Sequence, residues 1–292
     1  MHVTTKRRFV HLAAAIVLTA AAPSLRAQAN GDAGMPWEAA KAATLKKFDG
    51  QPHSAQRIEP FKIVDNVFYV GLETVAAYLI PTSDGLILID ATYADTADIV
   101  IDNVRKLGQN PARIKYVLIT HGHPDHAGGA ARIKELTGAR IGMALPEWES
   151  NGARITRDLV IKDGDMLMLG DTQLWLYVIG GATPGNMVAE IHANVAGRQF
   201  RTVVGATLEP SSGSVAATVR SVERLKELGP WDAFLPSHPY LAPSAVPVTA
   251  RQAFGLEALL PNPTKQAPLV GAQRVNAYLD QIRSALQARS SR

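Results

Sequence analysis

Apolar residues along the first two thirds of the chain come in short runs, and most of those runs read as strands. "FKIVDNVFYVG", residues 61–71, alternates in part. "VAAYLI" and "LILID" flank Thr82-Ser83-Asp84-Gly85, whose Asp-Gly pair marks a tight turn, so two strands are expected to pair across it. In "DTADIVIDNVRKLG" the spacing of Ile99, Val100, Asn103, Val104 and Leu107 fits one face of a helix closed by Gly108. "IKYVLIT" is continuously apolar, as a strand buried on both faces should be. "AARIKELTG" predicts a helix ending at Gly138 and "ARIGMAL" a further strand. Four strand candidates follow, "MLMLG", "TQLWLYVIG", "MVAEI" and "FRTVVG", then a helix in "VAATVRSVERLKELG" and a strand in "WDAFLPS". Residues 249–260 and 270–288 predict closing helices around a proline-rich bend from Pro261 to Pro268. Strands and helices thus recur in two similar halves, an order that two mixed β-sheets with helices outside would satisfy.

The two ends of this pattern differ. Lys6, Arg7 and Arg8 precede an apolar run from Phe9 to Ala22, and Ala27-Gln28-Ala29 closes it with small residues. That order predicts a secretory signal peptide over residues 1–29 and a periplasmic mature chain over 30–292. Lys6 stands where a twin-arginine signal would have its first arginine. Residues 30–58 are polar and mixed and predict an arm with a short helix from Trp37 to Lys47, leaving one domain with no long linker. The signal also carries the charge. Of 30 basic and 26 acidic residues, four basic ones and no acid lie in 1–29, so the mature chain is neutral and no nucleic-acid partner is implied. No membrane contact is expected after cleavage, and a monomer acting on a small-molecule substrate is the expectation. At 47% apolar the chain can bury a substantial core, and with no cysteine it has neither disulfides nor thiolate chemistry.

Candidate chemistry concentrates in "THGHPDHAGG", residues 120–129. His121, His123, Asp125 and His126 follow the end of a strand, where open sheets place ligands. Pro124 restricts His123 to extended backbone and turns the chain, separating the first two histidines from Asp125 and His126. Imidazole and carboxylate are what zinc takes when no thiolate is offered.

This stretch resembles the H-x-H-x-D-H signature of the metallo-β-lactamase superfamily. The resemblance runs from about Phe61 to His238 and includes "DGLILIDA", the "DGD" turn at 163–165, "TPG" and "PSHP". It implies an α/β fold, the αβ/βα sandwich of two mixed β-sheets with flanking helices. Among the β-lactamases it is most similar to the cysteine-free subclass. Carried over, one zinc would sit firmly on Asp125, His126 and His238. A second, weak or absent, would have His121 and His123 but lack its third histidine, because Ala182 stands in the family's H-T-P-G loop. Ala206 in "VVGATLEP" stands where glyoxalase-type thioesterases, lactonases and phosphodiesterases carry a metal-bridging aspartate, which argues against those branches. His53 and His192 remain as candidate replacement ligands. The activity implied is opening of a β-lactam amide by a metal-bound hydroxide, with Asp125 as the catalytic residue that orients the water and takes its proton. The alternatives are another superfamily hydrolase (lactone, ester or thioester), a degenerate low-activity zinc-binding relative, or a chain in which a natural histidine has been replaced by Ala182.

Overall fold

The computed structural model describes residues 35–290 except 36, 151–154, 196, 211–213, 242–249 and 251–269. The expected signal peptide, the proline-rich bend and all but Ala250 of the helix expected at 249–260 lie outside the described residues. The arm helix is present as α1 (Glu38–Lys47).

Each half of the chain builds one sheet. The first consists of β1 (Phe61–Val64), β2 (Val67–Tyr69), β3 (Tyr78–Thr82), β4 (Gly85–Ile89), β5 (Ile114–Leu118), β6 (Arg140–Ala144) and β7 (Leu159–Ile161), side by side in that order. Strands β1 to β4 pair antiparallel, and β4 to β7 pair parallel. The parallel pairs need crossovers. Two of these are the helices α2 (Ala97–Lys106), before β5, and α4 (Ala130–Thr137), before β6. The second sheet has the order β12-β11-β10-β9-β8, made by β8 (Asp165–Leu169), β9 (Thr172–Val178), β10 (Met187–Val195), β11 (Arg198–Ala206) and β12 (Ala233–Pro236). Only β11 and β12 pair parallel in it, and α6 (Val215–Leu228) is their crossover.

Strand β4 shows why the layers form. Ile87 and Ile89 join one apolar cluster together with Leu174, Leu176 and Ile191 of the second sheet. Leu86 and Leu88 join another with Val100, Val104 and Ile133 of α2 and α4. The period of two in the strand therefore sends alternate side chains to the inter-sheet core and to the helices. Burying each contributes about 1.5–3 kcal/mol. The last described helix, α7 (Ala272–Ser290), packs with α6, and its Leu279 and Ile282 share a core with Phe234 of β12. Caps fix the helix ends: Ser214 Oγ accepts from Ala217 N at 3.0 Å at the start of α6, and Gly138 ends α4 with a φ of 73°.

The two mixed sheets with flanking helices match the expectation. Strand β7 and the short helix α5 (Leu145–Ser150) were not anticipated. Both carry too few residues for a periodic signal. Among the described residues no helix is long and apolar enough to cross a membrane.

Candidate metal centre

The metal-like motif begins two residues past β5. His123 has extended backbone, with a φ of −66° and a ψ of 151°, and caps α3 (Pro124–Ala127), which starts at Pro124. What reads as a loop therefore contains one helical turn. That turn does not part the two pairs as the proline suggested, because it folds His126 back against His121, their ring centroids 4.2 Å apart. Gly129 lets the turn lie against the segment after β4. A Cβ there would stand 2.2 Å from Ala91 O.

Asp125, His126 and His238 converge. One ligand atom from each lies within 4.8 Å of the others, forming the cluster among the described residues capable of holding one metal ion. The His126 and His238 Nε2 atoms are 3.2 Å apart, and Asp125 Oδ2 lies 3.4 Å and 3.6 Å from them. Two nitrogens on one tetrahedral zinc would be roughly 3.3 Å apart. Each imidazole is oriented by its other nitrogen. His126 Nδ1 lies 2.9 Å from Asp90 Oδ2, and His238 Nδ1 lies 2.9 Å from Thr74 O. Asp90 is held in turn by the Thr120 N–H at 2.8 Å and the Thr120 hydroxyl at 2.9 Å. Its φ of 63°, and that of 56° at Thr92, are left-handed values unusual for such residues. Such strain clusters at functional sites.

The electrostatics suit a cation. Burial works to raise the Asp125 carboxyl, but His126, followed by His238 and His121, outweighs it and holds the group well below the usual carboxylate range. Burial also disfavours charge on His126, yet Asp125 and Asp90 prevail and lift its pKa to about 10. His238 is lowered, first by burial and then by His126. His121 and His123 are lowered too, chiefly by burial. The site thus holds one ionised carboxylate, a His126 ring that Asp125 and Asp90 keep protonated, and a His238 ring whose charging is resisted; a divalent ion there would take the place of the His126 proton.

His121 and His123 stand together next to this cluster, with His121 Nε2 3.0 Å from His123 Nδ1 and the rings of His121 and His126 4.2 Å apart. Among the described residues they belong to no three-ligand group. Ala182 is fully buried and offers no donor atom. Neither candidate replacement joins the cluster. His192 lies on β10 beside Trp175 and Glu190. His53 stacks on Tyr93 at 3.7 Å, and its Nδ1 is 2.9 Å from Asp95. Ala206 belongs to the apolar core, around a small void lined also by Trp37, Leu208, Phe234, Tyr278 and Ile282.

Three neighbours of the site escaped the sequence reading. Tyr240 stacks on the His238 ring at 4.8 Å. Tyr93 has its hydroxyl pushed up to about 12 by burial and then by Asp125. Glu147 is a buried carboxylate that accepts from backbone amides on both loops, those of Gly122 and Gly185. None sits in a motif; only an isolated Glu within an otherwise apolar "ALPEW" run hinted at the last. A cleft of about 460 Å³ touches the motif at Gly122, Pro124 and Gly128 and is lined also by His53, Tyr93, Asp95 and Ile155.

Residues 70–158 match the family model of the metallo-beta-lactamase superfamily. Curated relatives include a hydroxyacylglutathione hydrolase of Pseudomonas aeruginosa, 37% identical over 76 residues, 26% of this chain and 27% of the relative. Another, from Erythrobacter litoralis, is 31% identical over 169 residues, 55% of this chain and 64% of the relative. The match thus spans about a quarter of the length of the first of these relatives. These names run against the expectation drawn from Ala206. Among solved structures, a subclass B3 metallo-beta-lactamase of Bradyrhizobium japonicum aligns with a TM-score of 0.67 and 24% identity, covering 82% of this chain and 97% of its own. The native metallo-beta-lactamase of Legionella gormanii aligns with a TM-score of 0.67 and 24% identity over 81% and 97%. The chain has the fold of the metallo-beta-lactamase superfamily, and its cysteine-free cluster of Asp125, His126 and His238 is capable of holding one metal ion.

Proposed function

We propose that the protein is a single-zinc hydrolase that cleaves an activated acyl compound, a thioester or ester before a β-lactam amide. The observation that carries the metal reading is the convergence of Asp125, His126 and His238 with both imidazoles fixed through their Nδ1 atoms. Zinc, when bound there, supplies Lewis acidity at neutral pH. The chain's own residues divide the remaining work. Asp125 is the exposed member of the trio, with 22% of its side chain open, and its lowered pKa keeps it ionised, an acceptor that can hold and orient a water. Tyr93 stays protonated at neutral pH and can donate a hydrogen bond beside Asp125. His53, Tyr93 and Asp95 form the wall against which the rest of a substrate would lie. The preference for a thioester has two supports. The curated relatives named above are hydroxyacylglutathione hydrolases, and a thiol, with a pKa near 8.5, leaves without the protonation that an amide nitrogen needs. Export through residues 1–29 is part of the proposal; N-terminal sequencing of periplasmic material should start at Asn30.

The second reading is a zinc-binding relative without turnover, favoured by the observation that the one three-ligand group among the described residues is Asp125, His126 and His238. One assay separates the readings: zinc per chain, measured beside turnover of a hydroxyacylglutathione thioester and a chromogenic cephalosporin. One zinc with faster thioester cleavage is expected. Faster cephalosporin cleavage overturns the substrate assignment, and one zinc without any turnover favours the second reading.

A further inference from the structure

Helix α5 starts where β6 ends, and its third residue is Glu147, 1% exposed. Its Oε2 accepts from Gly122 N–H at 2.6 Å and its Oε1 from Gly185 N–H at 2.7 Å. Gly122 separates His121 from His123. Gly185 belongs to the loop that carries Ala182. One carboxylate therefore joins the two loops, and its two short bonds to amide donors are of the charge-assisted kind. The same loops meet at their base, where Met187 N–H donates to Thr120 O at 2.8 Å. The next residue, Trp148, anchors α5 to β7 through its indole N–H, 3.0 Å from Leu159 O. Gly185 is a glycine for want of space. Its φ lies outside the left-handed region, but a Cβ would fall 2.7 Å from Glu147 Oε1 and 2.8 Å from Cγ.

Neither this carboxylate nor the two amides it joins belongs to the Asp125, His126 and His238 cluster. We propose that Glu147 is a positioning residue, a clamp that holds the His121–His123 loop against the Ala182 loop whether or not a metal is bound at Asp125, His126 and His238. The clamp gives the chain a way to keep the His121 side of the site shaped without a ligand at position 182. It goes beyond the hydrolase reading and is tested on the loops, not on turnover, so absence of turnover leaves it standing.

The test is residue-resolved amide hydrogen exchange by NMR on the purified full chain, with zinc and with excess chelator. In the unaltered protein Gly122 and Gly185 should exchange equally slowly in both conditions. Glu147→Gln keeps the volume but turns one acceptor into a donor. It should speed exchange at both glycines about tenfold, the loss of one hydrogen bond to a charged group, with and without zinc. Ile119, whose amide donates to Gly142 O at 2.8 Å, should be unaffected. Gly185→Ala, on the other loop, should displace the carboxylate and speed exchange at Gly122 by a similar factor. A residue that served only local packing would not move that readout. Slow exchange that appears only with zinc overturns the proposal, as does slow exchange that survives Glu147→Gln or a Gly122 amide indifferent to Gly185→Ala. Should the Gln variant fail to fold, the Ala variant decides alone.

Discussion

Asp125, His126 and His238 have their protonation set before a metal arrives, and that makes metal binding a proton-linked event. In the metal-free protein His126 keeps its proton up to about pH 10, while Asp125 is already ionised and His238 is already biased to the neutral ring. A metal taking His126 Nε2 must displace that proton. Zinc binding between pH 7 and 9 should therefore release close to one proton, and apparent affinity should rise about tenfold per pH unit in that window. Calorimetry in two buffers of different ionisation enthalpy measures the proton count, and a count of zero would mean that His126 is already neutral before the metal binds. The linkage to folding has the opposite sign. The folded pKa of His126 lies above its unfolded value, about 6.5. Its contribution to the stability of the metal-free protein is fully present below that value and is lost as pH rises through about 10. Thermal melts of chelated protein should accordingly show a lower midpoint at pH 10 than at pH 6.5. The companion expectation is that Asp125→Ala or His238→Ala abolishes tightly held zinc in elemental analysis.

At the scale of elements, the site depends on what precedes and follows each strand. Asp90, just past β4, takes Thr120 and His126 as donors at once, which fixes the tautomer of a ligand carried by another segment. Asp90→Asn preserves shape but puts an NH₂ in place of one oxygen. Zinc affinity should fall about 10–100-fold, the usual effect of losing a group that orients a ligand, with the fold intact by circular dichroism. Unchanged affinity would mean that Thr120 and burial alone orient His126. The sequence made this level partly legible. Paired strands announced themselves through the apolar runs on either side of Asp84-Gly85, and the histidine motif through its density. Asp125 and His126 came with that motif, but His238 was found only through family resemblance, because a single histidine between prolines carries no pattern. The curated relatives run against the Ala206 reading, and the surroundings of that alanine are apolar. Position 206 closes β11 and shares a small void with Trp37 and Tyr278. The role of Glu147 was not legible, because it lies in two amides that come from distant parts of the chain.

For the whole molecule, the cluster joins the two halves. Asp125 and His126 come from the segment after β5 of the first sheet, and His238 from the segment after β12 of the second. A metal held by all three bridges the two layers at their shared edge and binds only when the layers are assembled. Such a ligand stabilises the folded state by mass action, about 2.7 kcal/mol when free metal exceeds its dissociation constant a hundredfold. For a chain of this size each kcal/mol is worth about 2–4 °C. Chelation should therefore lower the melting temperature by roughly 5–10 °C. The decisive comparison is His238→Ala, which leaves Asp125 and His126 in place on the first half but removes the cross-layer contact. In the presence of zinc this variant should show no further drop on adding chelator, because no bridge remains to be broken. A variant that still loses 5–10 °C on chelation would show that the stabilising metal is held within one half, at His121 and His123 or elsewhere, and that the layers meet without it.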